Sequence, residues 1–144
     1  MHQIAMQQRF AAPPERVFAM VTDHVGLGRW LSADVRLERP GEPPPNGLGA
    51  VRVIRARGLS VREQVIRYDA PRAMDYRVIS GAPLRNHLGE IRVEPDGGGA
   101  RVDYRIRFEW PWFVGGSVVG GLVAGQLERE LTAGLGRMAA SLAT

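Results

Sequence analysis

The chain has 144 residues, of which 44% are hydrophobic and 24% are charged. This length and composition are typical of one globular domain, and we expect a single domain over residues 1–144. No stretch approaches the roughly 20 uncharged apolar residues that a membrane span requires, and the residues after Met1 do not resemble a signal peptide. We therefore expect a cytoplasmic protein with no membrane span.

The residue types that are absent exclude several kinds of chemistry. The chain contains no Cys and only three scattered His, so we expect no disulfide, no metal site and no cofactor. All 19 basic residues are Arg, against 15 acidic residues. Arg and acidic residues alternate, as they do between Arg101 and Glu109, which is typical of a solvated strand face. We therefore expect no nucleic-acid partner.

The first part of the chain predicts one strand and two short helices. The strand runs from Ile4 to Phe10, and Pro14 then opens a helix, since proline is tolerated in a first helical turn. Asp23 can cap a second helical turn that runs to Trp30. Residues 40–47 contain too many Pro and Gly for regular structure.

From Ala50 onward, apolar residues recur with the period of strands, separated by turn signals. The last strand is the clearest, because it is apolar on one face and charged on the other. Asp96–Gly99 is predicted as its hairpin turn. The predicted strands are Val51–Ala56, Leu59–Tyr68, Ala73–Ser80, His87–Glu94 and Ala100–Trp110.

After Pro111 the pattern predicts one long amphipathic helix. Only the apolar face of the sheet can cover that helix, and the expected fold class is therefore a two-layer α+β domain. One line of the helix carries Val119, Val123, Leu127, Leu131 and Leu135, with Leu122, Met138 and Leu142 beside it.

Several short motifs, in this order and spacing, resemble the SRPBCC superfamily, also called START-like, in its polyketide cyclase/dehydrase and lipid-transport branch. The resemblance spans nearly the whole chain. It rests on Ala12–Phe18, Thr22-Asp23, Arg29–Leu31, Gly47–Ala50, Glu63 with Tyr68–Arg72, Gly89 and Gly97–Val102.

The resemblance implies a helix-grip fold: a curved antiparallel sheet of about seven strands around the long C-terminal helix, with two short helices after the first strand. It also implies a deep cavity for an apolar ligand, such as a lipid or a polyketide. We interpret the chain as a carrier or sequestering protein that is a monomer or a weak homodimer. The alternatives are an enzyme of the polyketide cyclase/dehydratase type and a protein-partner module like START-like toxins or chaperone activators.

Polar residues predicted to face inward are the candidates for chemistry, because a polar group in an apolar pocket needs a partner. His87, Glu63 and Tyr104 are the catalytic candidates, although each also has a purely structural interpretation. Strand phase pairs Glu63 with Arg55 as a buried ion pair. The predicted ligand-binding residues are Tyr76, Val78, His87, Ile91, Tyr104, Ile106, Phe108, Leu127 and Leu131.

Residues 111–125 mix large apolar side chains with glycines. Each glycine costs up to about 1 kcal/mol in a helix, so this density predicts a frayed helix start. We expect this segment to be a lid, in which the large side chains (Trp112, Phe113, Val114, Val118 and Val119) close over the cavity and the glycines (Gly115, Gly116, Gly120, Gly121 and Gly125) supply the hinge. A composition bias and a small-residue dimer face are the alternatives.

Overall fold

A computed structural model describes residues 1–143. Seven strands form one antiparallel sheet in the order β1-β7-β6-β5-β4-β3-β2. The elements in chain order are β1 (His2–Phe10), α1 (Pro14–Val21), α2 (Leu27–Leu31), β2 (Asp34–Arg39), β3 (Val51–Ala56), β4 (Leu59–Asp69), β5 (Ala73–Ser80), β6 (Arg85–Asp96), β7 (Gly99–Glu109), a short 3₁₀ turn (Trp112–Val114) and α3 (Gly116–Leu142).

Two tight hairpins set the register of the sheet. The turn at Gly97 and Gly98 joins β6 to β7, and both residues have positive φ, at 53° and 86°. This confirms the turn predicted at Asp96–Gly99. The turn at Arg57 and Gly58 joins β3 to β4 in the same way, with φ of 55° and 77°. Positive φ at both central residues is the geometry of a type I′ turn, which matches the twist of the strands it connects.

The sheet curves around α3, and together they enclose the hydrophobic core. The second half of α3 supplies Leu131, Leu135, Met138 and Leu142 to that core. Helix α1 closes another side through Val17, Phe18 and Val21, and it contacts β6 and β7. This arrangement confirms the expected α+β helix-grip fold, with its two short helices after the first strand.

Strand β2 was not predicted from the sequence. Strand β2 lies at the edge of the sheet, where it pairs only with β3. Its six residues alternate Val35 and Leu37 with charged neighbours, but it is short and directly precedes the proline-rich segment. Short, charged edge strands are a common way to keep a sheet from pairing with another chain, and they carry a weak sequence signal.

The start of α3 differs from the predicted lid. Helix α3 is continuous from Gly116, through the glycines that were expected to fray it. Trp112 and Phe113 are 84% and 62% exposed, so they do not cover the cavity, and Leu122 is exposed as well. Gly120 is buried, and a Cβ at this position would lie only 2.7 Å from the Cβ of Trp110. Gly120 therefore allows close packing of α3 on the sheet and is not a free hinge.

The charged residues of the strands form ion pairs with one another. Arg101 lies 2.8 Å from Glu94 and 3.1 Å from Asp103, and Arg92 lies 2.6 Å from Asp75. This is the mixed-sign face that the alternation of Arg and acidic residues predicts. No helix within residues 1–143 is long and apolar enough to cross a membrane.

Candidate functional site

A cavity of about 300 Å³ lies between the inner face of the sheet and helix α3. Most of its wall is aliphatic, and a cluster of polar side chains lies on β3 to β7. The lining residues are Val21, Leu27, Leu31, Ser32, Ala33, Arg52, Ile54, Ala56, Arg57, Glu63, Tyr76, His87, Tyr104, Ile106, Leu127, Glu130, Leu131, Leu135 and Met138.

The structure brings most of the predicted site residues to this cavity, and their role in binding stays a prediction. Those that line it are Tyr76, His87, Tyr104, Ile106, Leu127 and Leu131, together with the catalytic candidate Glu63. Ile91 and Phe108 are instead buried in the core, at 1% exposure each. Val78 does not line the cavity either, but its backbone N–H bonds to His87.

The centre of the polar wall is an ion pair between Arg52 and Glu63. The Arg52 Nε donates to Glu63 Oε1 at 2.8 Å, and Arg52 Nη2 lies 2.8 Å from the same oxygen. Both side chains are nearly enclosed, at 4% and 11% exposure. Burial opposes the charge on Arg52, but the Glu63 carboxylate outweighs it and raises the pKa of Arg52.

The predicted partner of Glu63, Arg55, was wrong. Arg55 is exposed and pairs with Ser60 across the β3–β4 hairpin, whereas Arg52 lies directly opposite Glu63. The error came from assigning Val51 and Val53 to the inner face. Both valines are buried, yet alternation places them opposite to Arg52, Ile54 and Ala56, which line the cavity.

His24, which was not among the predicted site residues, forms a hydrogen bond with Arg52. Its Nδ1 lies 3.2 Å from Arg52 Nη1, and its Nε2 lies 3.0 Å from the carbonyl oxygen of Asn46. Because a guanidinium can only donate, Nδ1 accepts and the ring proton sits on Nε2. Burial, and then the charge of Arg52, lower the pKa of His24 from 6.5 to about 4. His24 is therefore neutral near pH 7 and connects the proline-rich loop to the ion pair.

Two tyrosines complete the polar wall. The hydroxyls of Tyr76 and Tyr104 form a hydrogen bond, and the guanidinium of Arg52 lies 4.6 Å from the ring centre of Tyr76. Burial raises the pKa of Tyr104 to about 12 and raises that of Tyr76 well above its usual value, so both phenols keep their protons. Gly89 lies opposite Tyr76 on β6, and a Cβ there would come within 3.0 Å of three ring atoms.

His87 is oriented as a hydrogen-bond donor. Its Nδ1 accepts the backbone N–H of Val78 at 3.0 Å, which leaves the ring proton of the neutral form on Nε2. Burial lowers its pKa, which favours the neutral form. Nδ1 is thus occupied, so the neutral ring offers Nε2–H as a donor, and the catalytic role of His87 stays a prediction.

Two residues that line the cavity, Arg57 and Glu130, have side chains that are 64% and 38% exposed, so we infer that the mouth of the cavity lies between the β3–β4 hairpin and α3. Arg57 at the hairpin tip forms an ion pair with Glu130 of α3 at 2.5 Å, and both residues line the cavity. Gln126 donates a second hydrogen bond to the same Glu130 oxygen at 3.0 Å. This bridge, and not the aromatic residues at 112–113, spans the opening.

Fold and cavity together define a helix-grip protein with an enclosed, largely apolar pocket that has one polar wall. The family described as polyketide cyclase / dehydrase and lipid transport matches residues 1–143, and the chain belongs to that family. This agrees with the SRPBCC resemblance found in the sequence. No curated protein matches the chain.

Solved structures share the fold over almost the entire chain. The protein XoxI from Bacillus cereus is 17% identical, with a TM-score of 0.75, and the match covers 99% of this chain and 96% of that one. The protein TTHA0849 from Thermus thermophilus is 21% identical, with a TM-score of 0.74 and coverage of 99% and 100%. The Aha1 dimer from Colwellia psychrerythraea is 14% identical, with a TM-score of 0.71 and coverage of 99% and 96%. At these identities the likeness concerns the fold alone.

Proposed function

We propose that this protein binds a small, predominantly apolar ligand in its internal cavity and acts as a carrier or sequestering protein. The observation that carries the proposal is the cavity of about 300 Å³ between the sheet and α3. This volume lies at the small end of the range for ligand pockets, about 300–1,000 Å³. An apolar cavity of about 150 Å³ binds benzene, so a cavity of twice that volume holds a bicyclic molecule of about twelve non-hydrogen atoms. A compact ligand is therefore expected, and a diacyl lipid is too large.

Two measurements test this proposal. Mass spectrometry of an organic extract from the purified protein should identify a compact apolar molecule. In the second measurement, ethylnaphthalene is titrated into the protein and its fluorescence is followed. Binding should be saturable with a stoichiometry of one.

A matched pair of variants locates the binding site. Leu131 lines the cavity, whereas the next residue, Thr132, is exposed on the outer face of α3. Leu131→Trp fills the cavity and should abolish binding of ethylnaphthalene, while Thr132→Trp adds the same side chain outside and should leave binding unchanged. Equal binding by the two variants would place the ligand elsewhere and contradict the proposal.

The polar wall favours a second candidate function, a cyclase/dehydratase. Arg52 bonds only one carboxylate oxygen of Glu63, and Tyr104 keeps its proton beside it. In an aldol closure, Glu63 would accept the proton of the α-carbon while a phenol donates to the carbonyl oxygen that becomes a hydroxyl. In the dehydration that follows, the phenolate would take a second α-proton and become a phenol again, while Glu63 would return its proton to the hydroxyl, which leaves as water.

This second function predicts turnover of a linear triketone whose aldol closure and loss of one water give a methylresorcinol. Chromatography should show this product above the uncatalysed rate, and Glu63→Gln and Tyr104→Phe should each abolish the excess. A product rate no higher than in buffer would reject the enzyme and leave the carrier function.

A further inference from the structure

The polar wall of the cavity is electrically balanced without a ligand. The positive charge of Arg52 and the negative charge of Glu63 are in direct contact, at 2.8 Å. His24, which bonds Arg52, is neutral, and so are the two phenols of Tyr76 and Tyr104. Because the wall is enclosed, any charge that a ligand adds would lack a counter-charge in a region of low dielectric constant, which is strongly unfavourable.

The hydrogen-bonding groups of Arg52 are largely occupied by protein partners. Its Nε and Nη2 face Glu63 Oε1, and its Nη1 faces His24 Nδ1. The guanidinium thus uses most of its N–H groups to bond Glu63 and His24, and few are left for a ligand. Among the hydrogen bonds of residues 1–143, none reaches Glu63 Oε2, so this oxygen remains an acceptor.

Two donors on the wall remain for a ligand. His87 uses Nδ1 for the Val78 N–H, which leaves Nε2–H, and His87 lines the cavity. One of the hydroxyls of Tyr76 and Tyr104 donates to the other, which leaves the second O–H as a donor. With two neutral donors on the same wall, an acceptor without a charge is the best complement. A carbonyl oxygen has two lone pairs and meets this requirement.

Outside the polar wall, the polar residues that line the cavity are Ser32, which follows α2, and Arg57 and Glu130, which pair with each other. Leu27, Leu31, Leu127, Leu135 and Met138 face the polar wall from the helices. A ligand is therefore oriented, with its oxygen on the sheet and its hydrocarbon part against α2 and α3.

We propose that the cavity selects an uncharged ligand that carries a carbonyl oxygen at one end, and that it discriminates against carboxylates of the same shape. This inference rests on the proposed function, because it names the ligand class of the same cavity. It distinguishes the protein from a fatty-acid carrier, which would require an uncompensated cation in the pocket.

Three isosteric probes with the same ring substitution test it: acetylnaphthalene, naphthoate and ethylnaphthalene. Dissociation constants are measured by fluorescence titration at pH 7.5. Acetylnaphthalene should bind at least tenfold more tightly than ethylnaphthalene, and naphthoate should bind at least tenfold more weakly than acetylnaphthalene.

A variant that removes the charge of Glu63 tests the same preference between naphthoate and acetylnaphthalene. Glu63→Gln leaves Arg52 as an uncompensated cation, so the affinity for naphthoate relative to acetylnaphthalene should rise at least tenfold. The control is Glu128→Gln, the same chemical change on an exposed position of α3, which should alter none of the three constants. Thermal unfolding shows whether each variant is folded, and if Glu63→Gln is not, the three probes with the unmodified protein decide alone.

The outcomes separate this inference from the proposed function. If either naphthoate or ethylnaphthalene binds as tightly as acetylnaphthalene, the proposed ligand class is wrong, but the proposed binding of a ligand in the cavity is still supported. If none of the three probes binds, the proposed function fails and this inference fails with it.

Discussion

The strongest quantitative prediction concerns His24 and the pH dependence of stability. Burial and the neighbouring Arg52 lower the pKa of His24 from 6.5 to about 4. In the unfolded chain the imidazole titrates near 6.5. Between these two values the unfolded state binds more protons than the folded state, so the free energy of unfolding decreases as the pH falls.

The size of this effect follows from the two pKa values. Each pKa unit is worth about 1.4 kcal/mol, so His24 contributes about 3 kcal/mol that is present above pH 6.5 and lost by pH ~4. At pH 5 the loss already amounts to about 2 kcal/mol. That is a large part of the 5–15 kcal/mol that holds a typical domain folded.

The assay compares the protein with a His24→Asn variant, which has no ionisable group at this position but can still accept a hydrogen bond from Arg52. Free energies of unfolding are measured by urea titration between pH 7.5 and pH 4.5. All other titrating groups are shared, so the difference between the two curves isolates His24. The unmodified protein should lose about 2–3 kcal/mol more than the variant over this range.

Two results would contradict the proposed titration of His24. Parallel pH curves for the two proteins would show that His24 does not titrate differently on unfolding. A ¹⁵N NMR titration in which the His24 ring gains its proton near pH 6.5, or in which Nδ1 carries the proton of the neutral form, would contradict the bond from Arg52.

Three further predictions concern packing, each measured by thermal or urea unfolding. Gly89→Ala should cost about 1–3 kcal/mol and weaken ethylnaphthalene binding, because its Cβ would displace the Tyr76 ring; unchanged stability would show that the ring has room to move. Gly120→Ala should destabilise the protein, because the added Cβ would clash with His2 and Trp110 beneath α3. Gly121→Ala should stabilise it by up to about 1 kcal/mol, because a Cβ there points into open space. Equal changes in the free energy of unfolding for the two variants would contradict this account. Met138→Ala should cost about 2–5 kcal/mol, since its side chain is 2% exposed, and a cost below 1 kcal/mol would mean that the core refills the gap.

The β3–β4 hairpin shows how much of the site could have been predicted. A two-residue turn at Arg57–Gly58 forces Ala56 to face Leu59, and counting back along both strands places Arg52 opposite Glu63. That count excludes Arg55 without any coordinates. The error arose because the valines flanking Arg52 suggested the opposite phase, and buried residues occur on both faces of this strand.

His24 carried no comparable signal. It is separated from Arg52 by 28 positions, and its other partner, Asn46, lies in a proline-rich segment of irregular backbone. Contacts between loops do not follow a period, so no pattern in the chain predicts them. The same applies to the Arg57–Glu130 bridge at the mouth, which joins a hairpin tip to a distant helix.

The strands of the sheet other than β2, the glycine hairpin and the long terminal helix could be predicted from the sequence, because each depends on local periodicity or on backbone freedom at a turn. Local patterns could not predict which charges share the cavity wall, which residues lie at its mouth or that Trp112 and Phe113 are exposed. Those properties depend on the curvature of the sheet and on the position of α3 over it. Both are set by packing among residues that are far apart in the chain, and local sequence patterns do not report such contacts.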